Sequence, residues 1–370
     1  MTADFWQAPD NHLAAPPSAT REELASLSDF VRRQGWRGRC LFQTSGSEGR
    51  PKWVALSKQA LLASAEAVNA HFDITSSDRW RLALPLHHVG GFAILARAHA
   101  AGCAVTHLEG KWSPQRFAEA GDSLSSLVPT QVHDLVRAGL RAPDGLRAVI
   151  IGGGAMAPEL AAAARTLGWP LFLSYGLTEA ASQVATQPWP LDPAAPLQVL
   201  PHWQASTDAE GRLGVKGPAL ADGYVIATDD GDWQWQPIDP QQGLITRDRV
   251  RLESRDGRTW LHFLGRESGW VKILGELIHL APLQTQLDAL ALEAGWPAAP
   301  VLIAQPDPRA ETALVLVVEG APPDVTGLVE RFQAQQPPWL GLQRVVSLPQ
   351  LPRSDLGKIR LKELEQMLGT

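Results

Sequence analysis

Thr44-Ser45-Gly46-Ser47-Glu48-Gly49-Arg50-Pro51-Lys52 gathers hydroxyls, glycines and a lysine directly after the apolar stretch CLFQ. Hydroxyls and closely approaching backbone N–H groups can cradle phosphate oxygens, and a lysine supplies the charge that offsets them. The spacing is not that of a Walker A loop. Gly46 and Gly49 stand too close together, and Trp53 follows Lys52 where Ser or Thr belongs. A plain Gly/Ser turn between a strand and a helix would use the same residue types, so the run gains meaning only from what accompanies it.

Such a loop must be presented by rigid elements. From about residue 38 to 175, short β-rich runs alternate with helical patterns, the signature of βαβ units and a largely parallel sheet. The expected strands are CLFQT, WRLALPL, CAVTHLE, SLVPT, RAVIIG and PLFLSY. In SKQALLASAEAVNAHF, Leu61, Leu62, Ala65 and Val68 recur at helical spacing, with Ser57 placed to cap. The strands end in TSGSEG, PLHHVGG, GGGA and YGLTEA, and open α/β sheets bind ligands beyond the carboxyl ends of their strands. From about 188 to 264 the pattern changes to short strands broken by Gly, Pro and Asp, which reads as a β-rich subdomain. The expected class is therefore α/β: a large N-terminal domain of layered α/β sheets over 1–265, then a small α+β domain over 266–370.

Composition limits what these elements can serve. A chain of 370 residues, 45% hydrophobic and 19% charged, can bury a large core in two or three domains. The formal net charge of -6 argues against a broad nucleic-acid surface, which needs a basic excess. Asp4 and Asp10 stand where a secretory signal would be basic. The apolar stretch from Val89 to Val105 is interrupted by Arg97 and His99, short of the roughly 20 apolar residues of a spanning helix. The expectation is a cytoplasmic protein without stable membrane insertion. Cys40 and Cys103 lie in apolar runs and read as buried structural thiols. Nothing in the sequence sets an oligomeric state.

In order along nearly the whole chain, the polar clusters resemble the adenylate-forming superfamily of acyl-CoA synthetases, adenylation domains and luciferases. That family's phosphate loop reads approximately T-S-G-T-T-G-x-P-K-G. The resemblance implies ATP, Mg²⁺ and coenzyme A as ligands, beside a small-molecule carboxylate. It places Thr44, Ser45, Gly46, Ser47, Gly49 and Lys52 on phosphates, and matches Gly152-Gly153-Gly154-Ala155 to the turn that flanks adenine. Ser174-Tyr175-Gly176-Leu177-Thr178-Glu179 matches the segment whose tyrosine stacks on the base, whose threonine bonds the α-phosphate and whose glutamate helps hold magnesium. An aromatic face, a hydroxyl and a hard oxygen suit those tasks. Ile245-Thr246-Arg247-Asp248 resembles T-G-D and Gly265-Arg266 resembles G-R, which implies that Asp248 and Arg266 grip the ribose hydroxyls. Pro352 to Arg360 resembles P-x-x-x-x-G-K-I-x-R, and its lysine is Lys358. A positioned ammonium there would offset charge building on the α-phosphate.

The same resemblance implies two half-reactions, with a mobile C-terminal domain that turns between them. The hinge would be Ser268 or Gly269, and the face turned toward coenzyme A would include Lys272 and Gly275. This chain departs from the family pattern at Glu48, Trp53, Arg247 and Gly269, where threonine, glycine, glycine and a hinge aspartate are usual.

Leu84-Pro85-Leu86-His87-His88-Val89-Gly90-Gly91 resembles the P-L-x-H-x-x-G element that lines the acyl pocket, with His88 on the motif histidine and Gly90 and Gly91 leaving room beside it. The wording of this element looks most like the o-succinylbenzoate–CoA ligases of menaquinone and phylloquinone synthesis. The phosphate loop begins as early as Thr44, which implies that much of the first N-terminal subdomain of longer relatives is missing. A ligase for another aryl acid or a fatty acid, or a stand-alone adenylation domain loading a carrier protein, would share every ATP motif.

Overall fold

In the strand Lys52–Ser57 successive side chains point to opposite faces, and both faces are covered: Val54 and Leu56 enter one apolar cluster, Trp53 and Ala55 another. The computed structural model in which this is seen describes residues 3–44, 52–108, 110–119, 121–354 and 357–369. It divides into two units. The first comprises residues up to 154, 167–246 and 250–263; the second comprises 155–166, 247–249 and 264 onward.

Two sheets organise the first unit. One has the strand order His12–Ala14, Arg39–Thr44, Lys52–Ser57, Gly223–Ala227, Trp233–Pro237. The larger sheet runs Gln204–Thr207, Arg212–Lys216, Leu244–Arg255, Arg258–Arg266, Leu197–Val199, Ala185–Thr186, Leu171–Tyr175, Ala148–Ile151, Leu124–Leu127, Arg79–Leu82, Ala104–His107. The helices Lys58–His71 and Val89–Ala101 pack between them. One apolar cluster joins Phe42, Val54 and Leu56 of the first sheet to Leu61, Val68, Phe92 and Ile94 of these helices and to Ile150 and Phe172 of the second sheet. A helix covered on all sides should be apolar all round, and FAILARAHA is, apart from Arg97 and His99. The outer face of the smaller sheet is covered by Leu27, Phe30 and Val31 of the helix Arg21–Arg33.

Parts of the sequence reading are realised directly. Ser57 caps its helix by accepting from the Ala60 N–H at 3.0 Å. The strands of Arg79–Leu82, Ala104–His107, Leu124–Leu127, Ala148–Ile151 and Leu171–Tyr175 are parallel neighbours, as alternation with helices requires. Other parts need correction. Arg39–Thr44 and Lys52–Ser57 pair antiparallel, Thr44 opposite Lys52, so the phosphate-loop residues join two strands rather than a strand and a helix. The strand-rich run 188–264 does not form a sheet of its own either. Gly223–Ala227 and its partner Trp233–Pro237 extend the small sheet, and the remaining strands continue the large one. A hairpin strand buries its alternate residues equally well against any partner edge, so local pattern could not choose. Cys40 is buried, its thiol pushed up to about 12 by desolvation, whereas Cys103 is only half-buried.

In the second unit the strand Glu311–Glu319 is central, antiparallel to Val301–Asp307 and parallel to Leu342–Leu348. Leu314, Leu316 and Val318 face the helices Leu280–Glu293 and Val325–Gln333, while Val315 and Val317 meet Leu364 of Leu361–Met367 on the other side. A short hairpin, Trp270–Ile273 with Glu276–His279, and the helix Pro158–Thr166 complete it. Among the described residues no helix is long and apolar enough to cross a membrane.

Candidate active site

Lys52 opens its strand directly after the loop, and its ammonium lies 3.3 Å from Glu179 Oε1. Glu179 belongs to a single 3₁₀ turn, Thr178–Ala180, at the carboxyl end of the strand Leu171–Tyr175. That turn is tied to the small sheet by the Ala221 N–H donating to the Glu179 carbonyl at 2.8 Å. The phosphate-side lysine and the carboxylate assigned to magnesium therefore meet, although 127 positions separate them. Thr44 hydrogen-bonds across the same hairpin to the Lys52 carbonyl at 3.4 Å. Ser45, Gly46, Ser47 and Gly49 lie outside the described residues.

Around the strand end the backbone is tightly constrained. A Cβ on Gly176 would sit 1.6 Å from the Ser182 carbonyl oxygen, so only glycine fits. Ala181 and Ser182 adopt φ of +47° and +96°, conformations that cost about 1–3 kcal/mol each and gather at functional sites. The Ser174 hydroxyl donates to the Ile151 carbonyl at 2.8 Å, tying this strand end to the neighbouring one beside Gly152. Tyr175 packs against Phe263 with ring centroids 5.8 Å apart. Gly153 and Gly154 are exposed beyond the adjacent strand Ala148–Ile151; Ala155, the next residue, is assigned to the second unit.

His88 is the N-cap residue of the helix Val89–Ala101, its ring 4.4 Å from that of His87. A Cβ on Gly91 would meet the Pro85 carbonyl oxygen at 2.3 Å, so its missing side chain serves the turn into the helix; Gly90 meets only Leu84, at 3.6 Å.

In the second unit Asp248, 8% exposed, forms an ion pair with Arg266 at 3.0 Å. Lys358 is exposed on a loop closed by a bridge between Arg353 and Ile359, with the Ser354 N–H donating to the Lys358 carbonyl at 2.7 Å. Arg353 anchors that loop through Glu319 at 2.9 Å. Gly269 ends a 3₁₀ turn that includes Ser268; Lys272 and Gly275 lie on the short hairpin, Gly275 in its turn.

Two residues were missed by motif reading. Tyr224 joins the pair through the Lys52 ammonium, which lies 3.9 Å from its ring centroid. Burial first, and then the nearby Glu179 carboxylate, raise its phenol above the ordinary value. The chain has only two tyrosines, and the other is Tyr175. Arg97 is 2% exposed, yet its guanidinium has only neutral partners among the described residues: Gln183 Oε1 at 3.1 Å, Ser182 Oγ at 3.3 Å, Ser126 Oγ at 3.4 Å and the Trp80 ring, its centroid 5.5 Å away. Its Nε has no hydrogen-bond partner among the described residues, and desolvation lowers its pKa to about 10. An arginine inside an otherwise apolar helix was the available signal, read only as an interruption of hydropathy.

A single carboxylate, Glu179, with the Thr178 hydroxyl beside it fits Mg²⁺, which takes one or two protein carboxylates and completes its shell with phosphate oxygens and water. Among the described residues no cluster of three His, Cys, Asp or Glu side chains offers a closed metal cage. The geometry thus pairs the lysine expected at the phosphates with the carboxylate expected at the metal, at the end of a parallel strand. Residues 39–225 match the model of the family described as AMP-binding enzyme. The chain belongs to the AMP-binding enzyme family. Within it, this chain is 41% identical over 188 residues to the 2-succinylbenzoate–CoA ligase of Escherichia coli strain K12, a match covering 50% of this chain and 41% of that one. The chain spans about half the length of the first curated relatives it matches, 41%, 54% and 52%. Among solved AMP-binding structures, an E. coli MenE variant with bound OSB-AMS superposes with a TM-score of 0.70 at 26% identity, covering 89% of this chain and 68% of that one. The o-succinylbenzoate CoA synthetase (MenE) from Bacillus subtilis in complex with OSB-AMP gives 0.72 at 23%, covering 88% and 68%, and shares the fold.

Proposed function

We propose that this chain joins a carboxylic acid to ATP, forming an acyl-adenylate and pyrophosphate, and then passes the acyl group to coenzyme A, with o-succinylbenzoate as the acid. The observation that carries the ATP chemistry is the meeting of Lys52 with Glu179 at 3.3 Å, a charge pair whose members suit a triphosphate and its counter-ion. In the first half-reaction a carboxylate oxygen attacks the α-phosphorus and the bond to pyrophosphate breaks. Thr178 donates to an α-phosphate oxygen, Lys52 holds the outer phosphates, and Lys358 offsets charge on the equatorial oxygens. Glu179 would hold a magnesium ion, which would supply positive charge against that of the phosphates. Tyr175 offers a face to adenine, while Asp248 and Arg266 address the ribose. In the second half-reaction the thiol sulfur attacks the acyl carbon, the carbon–oxygen bond to AMP breaks, and the thiol proton is released.

Arg97 supports a diacid. Burying an unpaired guanidinium is costly, and a carboxylate would complete it. A substrate with one carboxylate to activate and another to anchor answers that need, whereas a fatty acid or simple benzoate does not. The likeness to 2-succinylbenzoate–CoA ligases favours the same acid. The experiment is a pyrophosphate-release screen over carboxylic acids, with and without coenzyme A. The reading expects o-succinylbenzoate to give the highest kcat/KM and coenzyme A to speed AMP release. A monocarboxylate in first place removes the substrate assignment, and indifference to coenzyme A points to a carrier protein as acceptor.

A further inference from the structure

Lys52 and Tyr224 lie on neighbouring antiparallel strands in which Lys52 faces Ile226 and Val54 faces Tyr224. The two side chains are therefore diagonal neighbours on one face of the sheet. Above that face the Lys52 ammonium lies 3.3 Å from the Glu179 carboxylate and 3.9 Å from the centroid of the Tyr224 ring, and Glu179 stands near enough to the phenol to raise its pKa. The ammonium thus joins the carboxylate to the aromatic ring.

A lysine paired with a carboxylate is already neutralised, so phosphate oxygens must draw it away. Glu179, whose side chain is only 14% exposed, would then be left as a sheltered charge without its cation, a costly state unless another donor remains. The phenol is that donor. Turned to the carboxylate, its O–H makes a charge-assisted hydrogen bond, and it is presented by the strand Gly223–Ala227, paired to that of Lys52. The ring face meanwhile holds the ammonium by an attraction weaker than an ion pair, so Lys52 stays near the site and is readily released. We infer that Tyr224 is a positioning residue of the nucleotide site, keeping the Glu179 carboxylate aimed while Lys52 exchanges it for phosphate oxygens. The inference rests on the ATP reading above and deepens it.

The test is a double-mutant cycle on the full chain, read as Mg·ATP affinity by titration calorimetry without acid or coenzyme A, over a range of Mg²⁺ concentrations. Tyr224→Phe keeps the ring and removes only the O–H. It is expected to weaken Mg·ATP binding about tenfold, the scale of one hydrogen bond to a charged group, and to raise the Mg²⁺ needed for half-saturation, with the melting temperature close to that of the parent. In a Glu179→Gln background the same change should add less than about twofold, because its partner is already neutral. Tyr224→Leu, which also removes the ring, should weaken binding further in the Glu179 parent. Equal losses in both backgrounds would mark Tyr224 as a packing residue and overturn the inference, as would parent-like affinity in Tyr224→Phe. A parent protein that binds no Mg·ATP would overturn the ATP reading itself, and this inference with it.

Discussion

Arg97 and Lys358 are cations in opposite circumstances, and each makes a separable prediction. Arg97 is sealed among Gln183, Ser182 and Ser126 without an ion pair among the described residues. Arg97→Met keeps length and apolar packing while removing the charge. It should raise KM for o-succinylbenzoate roughly tenfold to a hundredfold, the scale of a charge-assisted pair, and leave ATP affinity unchanged. Stability should hold or rise, since a buried charge is replaced by an apolar side chain. Initial-rate kinetics on o-succinylbenzoate and benzoate check this, and a loss equal for both acids would separate Arg97 from the second carboxylate. Lys358 instead stands exposed on its loop. Lys358→Ala should slow adenylation by about 10²–10³, the scale of one preorganised charge-stabilising donor. Thioester formation from preformed acyl-AMP should fall much less. Single-turnover assays of the two half-reactions distinguish these, and equal losses would count against the assignment.

At the level of elements, the strand Leu171–Tyr175 and the turn after it carry the densest constraint. Gly176 faces the Ser182 carbonyl so closely that one added methyl cannot fit without backbone movement. Gly176→Ala should cost at least about 1–3 kcal/mol, seen as a lower midpoint in denaturant unfolding, and should displace Ser182 and Gln183 from Arg97. An unchanged midpoint would show that the turn yields freely. The run YGLTEA announced this turn in sequence, because an aromatic, a glycine and polar groups after a β-rich run mark a strand end. The antiparallel pairing of Arg39–Thr44 with Lys52–Ser57 was not announced. Both strands are buried on both faces, so their apolar pattern is the same whichever direction the partner runs.

Taken as a whole molecule, the protein half-buries several histidines. Desolvation lowers the pKa of His202 from 6.5 to about 4, and it also lowers His71 and His12. A histidine with a depressed folded pKa contributes its full stability above the unfolded value of 6.5. That contribution is lost as pH falls toward the folded value, because the unfolded chain takes up the proton first. The histidine contribution to melting temperature should therefore decline between pH 6.5 and about 4, opposed by Asp288, whose carboxyl is raised to about 6 by desolvation and so gains stability as pH falls, while Asp78, held low chiefly by its hydrogen bond from Arg147, titrates only below that window. Neither ring nitrogen of His202 has a hydrogen-bond partner among the described residues, so His202→Phe should flatten that decline, and an unaltered slope would remove His202 as its source. What the sequence determined by itself was local: the capped helix after Ser57, the parallel strands, the glycine-rich strand ends and the order of the nucleotide motifs. The first three depend on residues within a few positions of one another, where periodicity and side-chain type are enough; the motif order rests on the resemblance to the adenylate-forming family. Only the tertiary structure decided that Tyr224 joins Lys52 and Glu179, that Arg97 is buried without an ion pair among the described residues, and that Gly91 serves its own turn. Those facts are set by which strand edge pairs with which and by what packs across the sheets, and such contacts between distant residues leave no spacing in the chain to read.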